Sequence, residues 1–148
     1  MLSKSLVIFT AVGLVSALAL GIYLIDVKST SQLIFVEGNS VSIVTEKFDF
    51  KQGEEITLQV VNSGTAPLVF SDASYGLKIT GLSGTLMYSP ISAQVISELA
   101  PGDEIVFSWD QIKNDGNPVL EGLYKISVNG ADKEGNAVER STTVTIWK

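Results

Sequence analysis

Residues 55–62 read Glu-Ile-Thr-Leu-Gln-Val-Val-Asn, and this stretch decides the fold class. Ile56, Leu58 and Val60 alternate with polar neighbours, which is the period-two pattern of a strand that buries one face. The same alternation returns in three later stretches, at 104–110, 123–129 and 138–147. No segment after residue 26 has a long helical period. The sequence therefore predicts an all-β domain.

Shorter runs between these stretches carry a weaker strand signal. They lie at 33–36, 40–45, 68–71, 76–80, 85–88 and 94–98. Turn-forming sequences separate the runs, such as Asn62-Ser63-Gly64 and Pro101-Gly102. Short strands with turns about every 8–12 residues are typical of an antiparallel sandwich. We predict an antiparallel β-sandwich of about seven to nine strands over residues 33–148, with the ring of Trp109 in its core or at the rim of the core.

The beginning of the chain predicts where the protein is located. Residues 6–25 carry no charge, Lys4 precedes them, and a short polar stretch follows. Twenty apolar residues form a helix of about 30 Å, the thickness of the bilayer hydrocarbon. The preceding cation favours a cytoplasmic N-terminus. We expect a signal-anchor helix over 1–25 that crosses plasma-membrane lipid between Leu6 and Ile25, a linker over 26–32 and an exported domain over 33–148.

A cleaved leader is the alternative to this anchor. Ala17-Leu18-Ala19 has the small residues of a cleavage site, and cutting near Ala19 would give a secreted protein. The new N-terminus would then begin with the apolar residues 20–25, which favours the uncleaved anchor. A pilin-like segment that packs inside a filament after trimming is the third reading.

Composition excludes several functions. The chain has 148 residues, ten of them basic and sixteen acidic, and contains neither cysteine nor histidine. A net charge of −6 disfavours nucleic acid as a partner. Without thiols or imidazoles there is no cysteine nucleophile, no histidine base and no histidine or cysteine metal site. We expect no enzyme, no cofactor and no small-molecule substrate.

Acidic and amide side chains offer the remaining candidates for chemistry. The neighbours Glu54 and Glu55, like Asp103 and Glu104, begin strands, where alternation sends adjacent side chains to opposite faces. We therefore expect no catalytic residue among them.

One loop is rich in oxygen ligands for Ca²⁺. It contains Asp110, Asn114, Asp115 and Asn117, but without the regular spacing of a calcium loop. We expect hydrogen-bonded turns there and keep a weak Ca²⁺ site as the alternative. Residues 132–136 have a similar composition and are predicted to be a hairpin turn.

The stretch 75–90 is the best candidate for recognition. Glycines interrupt its strands, and apolar and aromatic side chains supply contact area. A partner could add a strand to such an edge. The residues predicted to form this partner-binding edge are Tyr75, Leu82, Leu86, Met87 and Tyr88.

Three motifs occur in order along the domain. They are 62–67 (Asn-Ser-Gly-Thr-Ala-Pro), 99–103 (Leu-Ala-Pro-Gly-Asp), and Trp109-Asp110 leading through 115–119 (Asp-Gly-Asn-Pro-Val) to Gly122-Leu123-Tyr124. This series resembles the immunoglobulin-like domain of the Bacillus intracellular proteinase inhibitor (BsuPI), over about residues 48–147. The last motif is also similar to the immunoglobulin-like module of flagellar hook-capping proteins. Leu120 and Glu121 stand where the inhibitor family often has proline.

Two classes of function follow from these features. The composition and the predicted anchor favour a non-catalytic protein-binding or structural module of the cell envelope. The resemblance implies an immunoglobulin-like fold and, as an alternative activity, proteinase inhibition. An accessory or stator subunit of a surface filament is a further alternative, because archaeal stator components are similar in layout.

Overall fold

A computed structural model describes residues 33–148, and this part of the chain contains ten β-strands. The strands are β1 (Val41–Thr45), β2 (Asp49–Lys51), β3 (Ile56–Asn62), β4 (Leu68–Phe70), β5 (Lys78–Gly81), β6 (Leu86–Tyr88), β7 (Ser97–Leu99), β8 (Glu104–Trp109), β9 (Gly122–Asp132) and β10 (Ala137–Trp147). No helix within 33–148 is long and apolar enough to span a membrane. The predicted anchor over 1–25 and the linker over 26–32 lie outside the described residues.

Two sheets share one core. The smaller sheet has the order β1-β3-β8, and the larger has the order β2-β10-β9-β4-β7. The long strand β9 also pairs with β5 along its first half, and β5 pairs with β6. Buried apolar side chains from both sheets form a single cluster. The predicted all-β sandwich is thereby confirmed in its fold class.

Three details of the strand prediction are wrong. Residues 33–148 contain ten strands rather than seven to nine, and β2 pairs in parallel with β10, so the sandwich is not purely antiparallel. Strand β2 escapes sequence analysis because it is three residues long with only Phe50 buried. Residues 33–36 form no strand; Val36 makes only one backbone hydrogen bond to the sandwich, from its N–H to the Ser63 carbonyl at 2.9 Å.

The residues predicted to face inward do so. Ile56, Leu58 and Val60 are fully buried, and Trp109 is 1% exposed. In β9 and β10 the inward positions are also buried, namely Tyr124, Ile126, Val128, Val144 and Ile146. Period-two alternation was therefore a sufficient guide wherever a strand had three or more inward positions.

The side chain of Asn62 joins two of the motifs at the end of β3. Its Nδ2 donates to the carbonyls of Ala66 at 2.9 Å and Leu99 at 2.8 Å, and its Oδ1 accepts from the Gly64 N–H at 3.0 Å. The Asn62 carbonyl accepts from the N–H of Gly102 at 2.9 Å. The Asn-Ser-Gly and Pro-Gly motifs are therefore parts of one hydrogen-bonded structure.

Strand directions give the domain two ends. Residues 36–40 form hydrogen bonds with residues 63–65, next to the bonds made by Asn62. We call this end of the strands the near end. Strand β8 runs away from it to Trp109, and β9 begins at the same opposite end, so the loop 110–121 lies there. We call that the far end.

Candidate interaction surface

The five residues predicted to form a partner-binding edge separate into two groups. Leu82 and Leu86 are exposed at 67% and 50%, as a recognition surface requires. Tyr75, Met87 and Tyr88 are instead partly buried and pack against the core. The sequence indicated their apolar character but could not show that three of them face inward.

Tyr75 closes one side of the sandwich. Its ring lies 5.0 Å from that of Phe70 in the larger sheet and 6.2 Å from that of Phe107 in the smaller one, measured between centroids. The backbone of Tyr75 has φ +53° and that of Gly76 has φ +64°, at the centre of a turn that the Leu77 N–H closes onto the Ser74 carbonyl. Positive φ is uncommon for tyrosine and has a conformational energy cost. The contacts of the Tyr75 ring offset that cost and stabilise the turn.

The outer edge of β6 is already occupied. The N–H of Asn114 donates to the Met87 carbonyl at 2.9 Å, and its Oδ1 accepts from the N–H of Ser89 at 3.2 Å. Asn114 therefore takes the place that an added strand would take beside Met87. The loop that contains Asp110 to Asn117, for which the sequence predicted hydrogen-bonded turns, thus also covers the edge of β6.

Aromatic packing fastens this loop to the core. The ring of Trp109 lies 6.1 Å from Tyr88 and 6.0 Å from Tyr124, and its Nε1 donates to the Ile112 carbonyl at 2.9 Å. The Tyr124 hydroxyl donates to the Leu120 carbonyl at 2.6 Å, a backward bond of the kind found in tyrosine corners of immunoglobulin-like sandwiches. Burial raises the pKa of this hydroxyl.

The oxygen-rich side chains of the loop serve as turn acceptors. Asp110 Oδ1 accepts from the Ile112 N–H at 3.0 Å, and Asp115 Oδ1 accepts from the Asn117 N–H at 2.9 Å. The Asn117 N–H, as the main cause, lowers the pKa of Asp115 below its ordinary value. Within residues 33–148 no three acidic side chains gather as they would around a metal ion.

The acidic pairs take unrelated partners. Glu54 Oε1 lies 2.5 Å from Lys47 Nζ, and the Glu54 carboxylate also accepts from the N–H of Lys51. The hydrogen bond with Lys47 is the main cause that lowers the pKa of Glu54. Glu55 accepts from the hydroxyl of Ser108 on the neighbouring strand. In the other pair, Asp103 and Glu104 are both exposed. Neither arrangement places two carboxylates around a common point.

Gln111 is the important residue that sequence analysis missed. It is 1% exposed and has φ +62°. Its Oε1 accepts from the Gly53 N–H at 2.9 Å, and its Nε2 donates to the carbonyls of Lys51 and Glu54, both at 2.8 Å. One signal could have found it, because Gln111 continues the inward series that includes Phe107 and Trp109.

An open groove of about 770 Å³ lies at the far end. Its lining includes the apolar side chains of Tyr88, Ile91 and Ile112 and the polar side chains of Glu55, Ser108 and Asp110. Ile91 is fully exposed. Lys113 also lines the groove, with its Nζ 3.4 Å from an Asp115 oxygen. An open groove lined by both apolar and acidic side chains is suited to binding a polypeptide segment.

Comparison with protein families and curated proteins identifies no family for this chain. No family model matches the chain, and no curated protein matches it. The resemblance to the BsuPI domain therefore stays a prediction.

Three solved structures are similar in part. They are the sporulation control protein Spo0M of Bacillus subtilis (17% identity, 75% of this chain and 50% of that one, TM-score 0.43), PorZ of the type-IX secretion system of Porphyromonas gingivalis (15%, 72% and 11%, 0.38) and a β-glucosidase of Listeria innocua (10%, 74% and 16%, 0.34). The chain thus spans half or less of each of these proteins. With TM-scores below 0.5, none of them assigns a function.

Proposed function

We propose that this protein is a membrane-anchored module of the cell envelope that binds another protein through its β-sandwich and catalyses no reaction. The anchor and the plasma-membrane location rest on the uncharged run 6–25. The binding role rests on one observation of the domain, the open groove at the far end, whose lining includes the apolar side chains of Tyr88, Ile91 and Ile112.

Exposed apolar side chains in the stretch that begins at the groove support this proposal. Ile91, which lines the groove, is fully exposed, and Val95 and Ile96 are exposed at 58% and 75% in the irregular segment that follows it. Large exposed apolar patches mark interaction sites on folded proteins. Residues 36–40 bond to the near end of the sandwich, and the groove lies at the opposite end of the strands.

Site-specific photocrosslinking in native membranes tests the proposal. A photoreactive amino acid at Ile91 of the full chain should give one discrete adduct with another envelope protein. The matched control places it at Glu139, an exposed position on the larger sheet. Adducts of equal yield from both positions, or none from Ile91, would contradict binding at the groove.

A further inference from the structure

Strand edges differ in how well they are protected. Among the described strands, β1, β2, β6, β7 and β8 pair on one side only. Strands β2, β6 and β7 are each three residues long, and Asn114 covers β6. Strand β8 has six residues, which makes it the longest of the five. It is the edge with most room for an added strand.

The pairing of β8 with β3 shows which of its backbone groups face outward. The N–H of Asn62 donates to the Asp103 carbonyl at 3.0 Å, so position 103 faces β3. In an antiparallel ladder the N–H and C=O of one residue point to the same side and alternate along the strand. Positions 105, 107 and 109 therefore face β3 as well. The backbone groups of Glu104, Val106 and Ser108 face away from the sheet.

This edge has little of the usual protection against pairing. Natural proteins protect edges with proline, charged side chains (lysine above all), bulges or very short strands. Strand β8 reads Glu-Ile-Val-Phe-Ser-Trp, with Glu104 its one charged residue, and its register with β3 is unbroken from Glu104 to Trp109. The solvent-facing side chain of Val106 is 52% exposed. An edge protected only at its first residue, beside a groove, is open to strand addition along Val106 and Ser108.

Charge indicates what kind of segment fits. Glu104 is the first residue of the edge strand β8, and Glu55 and Asp110 line the groove at the far end of the domain. The one lysine of the groove lining, Lys113, is already next to Asp115. The edge and the groove are therefore acidic overall, while Tyr88, Ile91 and Ile112 offer apolar contact. A basic segment with alternating apolar residues is complementary to both.

We propose that β8 binds an extended basic segment of a partner protein as a fourth strand of the smaller sheet, with the end of that segment in the groove. This inference rests on the proposed function and specifies its surface and its partner. A second copy of the chain fits less well, because both copies would carry the same acidic edge.

A peptide titration tests the strand addition with the full chain in detergent micelles. The probe is a blocked seven-residue peptide of alternating lysine and valine, and the control peptide has glutamate in place of lysine. We expect the basic peptide to bind and the acidic one not to bind. On binding, the amides of Val106 and Ser108 should become protected from hydrogen exchange, whereas that of Phe107, already bonded to β3, should not change.

The variant Val106→Pro blocks the edge selectively. The Val106 N–H faces outward, so proline costs no hydrogen bond to β3 but removes a donor from the edge. We expect binding to weaken about tenfold or more, against about twofold for the control Val106→Thr. Should Val106→Pro not fold, Val106→Lys places a cation on the edge and should also weaken binding of the basic peptide.

Four results of the peptide experiments would overturn the inference. They are equal peptide binding by Val106→Pro, protection at another edge, no binding at the highest soluble peptide concentration, and protection of Val106 that depends on protein concentration alone, which would indicate a second copy. Ile91 adducts in membranes that persist in Val106→Pro would overturn strand addition and leave the proposed function standing. Peptide binding without Ile91 adducts would count against the proposed function alone.

Discussion

Replacing Gln111 with alanine should remove a large part of the stability of the sandwich. Its side chain makes three hydrogen bonds to the backbone of residues 51–54, and it is 1% exposed. At about 1 kcal/mol for each hydrogen bond, the loss is about 3 kcal/mol, because water does not reach the three backbone groups easily. Urea unfolding of residues 33–148, followed by tryptophan fluorescence, measures the change. The control Gln59→Ala, on the outer face of β3, should cost about 0.5 kcal/mol or less.

The backbone of the same residue allows a second, sharper comparison. At φ +62° glycine is more favourable than alanine, so Gln111→Gly should be about 0.5–1 kcal/mol more stable than Gln111→Ala. Gln111→Glu keeps the shape of the side chain but loses the Nε2 donor, and it should cost at least as much as alanine. A loss below about 1 kcal/mol for alanine, or a neutral glutamate variant, would refute the reasoning.

Four further outcomes are expected. Trp109→Ala should destabilise the domain by about 3–5 kcal/mol in the same urea assay, because the ring is fully buried. Hydrogen bonds to its carboxylate lower the pKa of Asp132; the largest effect comes from the Asn136 side chain, and the Asn39 side chain and the Glu134 N–H add to it. The charged form of Asp132 therefore stabilises the fold. Asp132→Asn should therefore melt at a lower temperature than the wild type at pH 7. This difference in melting temperature should narrow as the pH falls below about 4, where the carboxyl of the unfolded chain takes up a proton, and should disappear only below the lowered pKa of the folded protein. The full chain should stay in the pellet after alkaline carbonate washing, with residues 33–148 open to external protease; a shorter soluble species beginning near Leu20 would indicate cleavage. Residues 33–148 should inhibit subtilisin-like proteinases weakly or not at all, and stoichiometric nanomolar inhibition would favour the inhibitor alternative.

Sequence patterns predicted those parts of the fold that depend on one strand at a time. The stretch 55–62 was recognisable because three successive inward positions, Ile56, Leu58 and Val60, are apolar. Strand β2 was not, because a single inward residue, Phe50, gives no period. The run 33–36 was apolar enough to suggest a strand, but only one of its backbone groups finds a partner in the sandwich, at Val36.

The surface was harder to predict, because it depends on contacts between distant segments. Nothing local to Asn114 indicates that it covers Met87, 27 positions earlier in the chain. Tyr75 looked like an exposed recognition residue, and only the approach of Phe70 and Phe107 turns it inward. The free edge of β8 is likewise a property of the sheet order and not of the strand's own sequence.

The position of β10 determines when this domain can fold. Strand β10 lies between β2 and β9, and its pairing with β2 brings Ile146 beside Phe50, 96 positions earlier (146 minus 50). Closing a contact between such distant residues costs more chain entropy than a local contact and slows folding. The larger sheet has no continuous hydrogen-bonded path from β2 to β9 until residues 137–147 are available. In a chain that leaves the ribosome or a translocation channel from its N-terminus, β2 therefore cannot join the larger sheet until β10 has emerged.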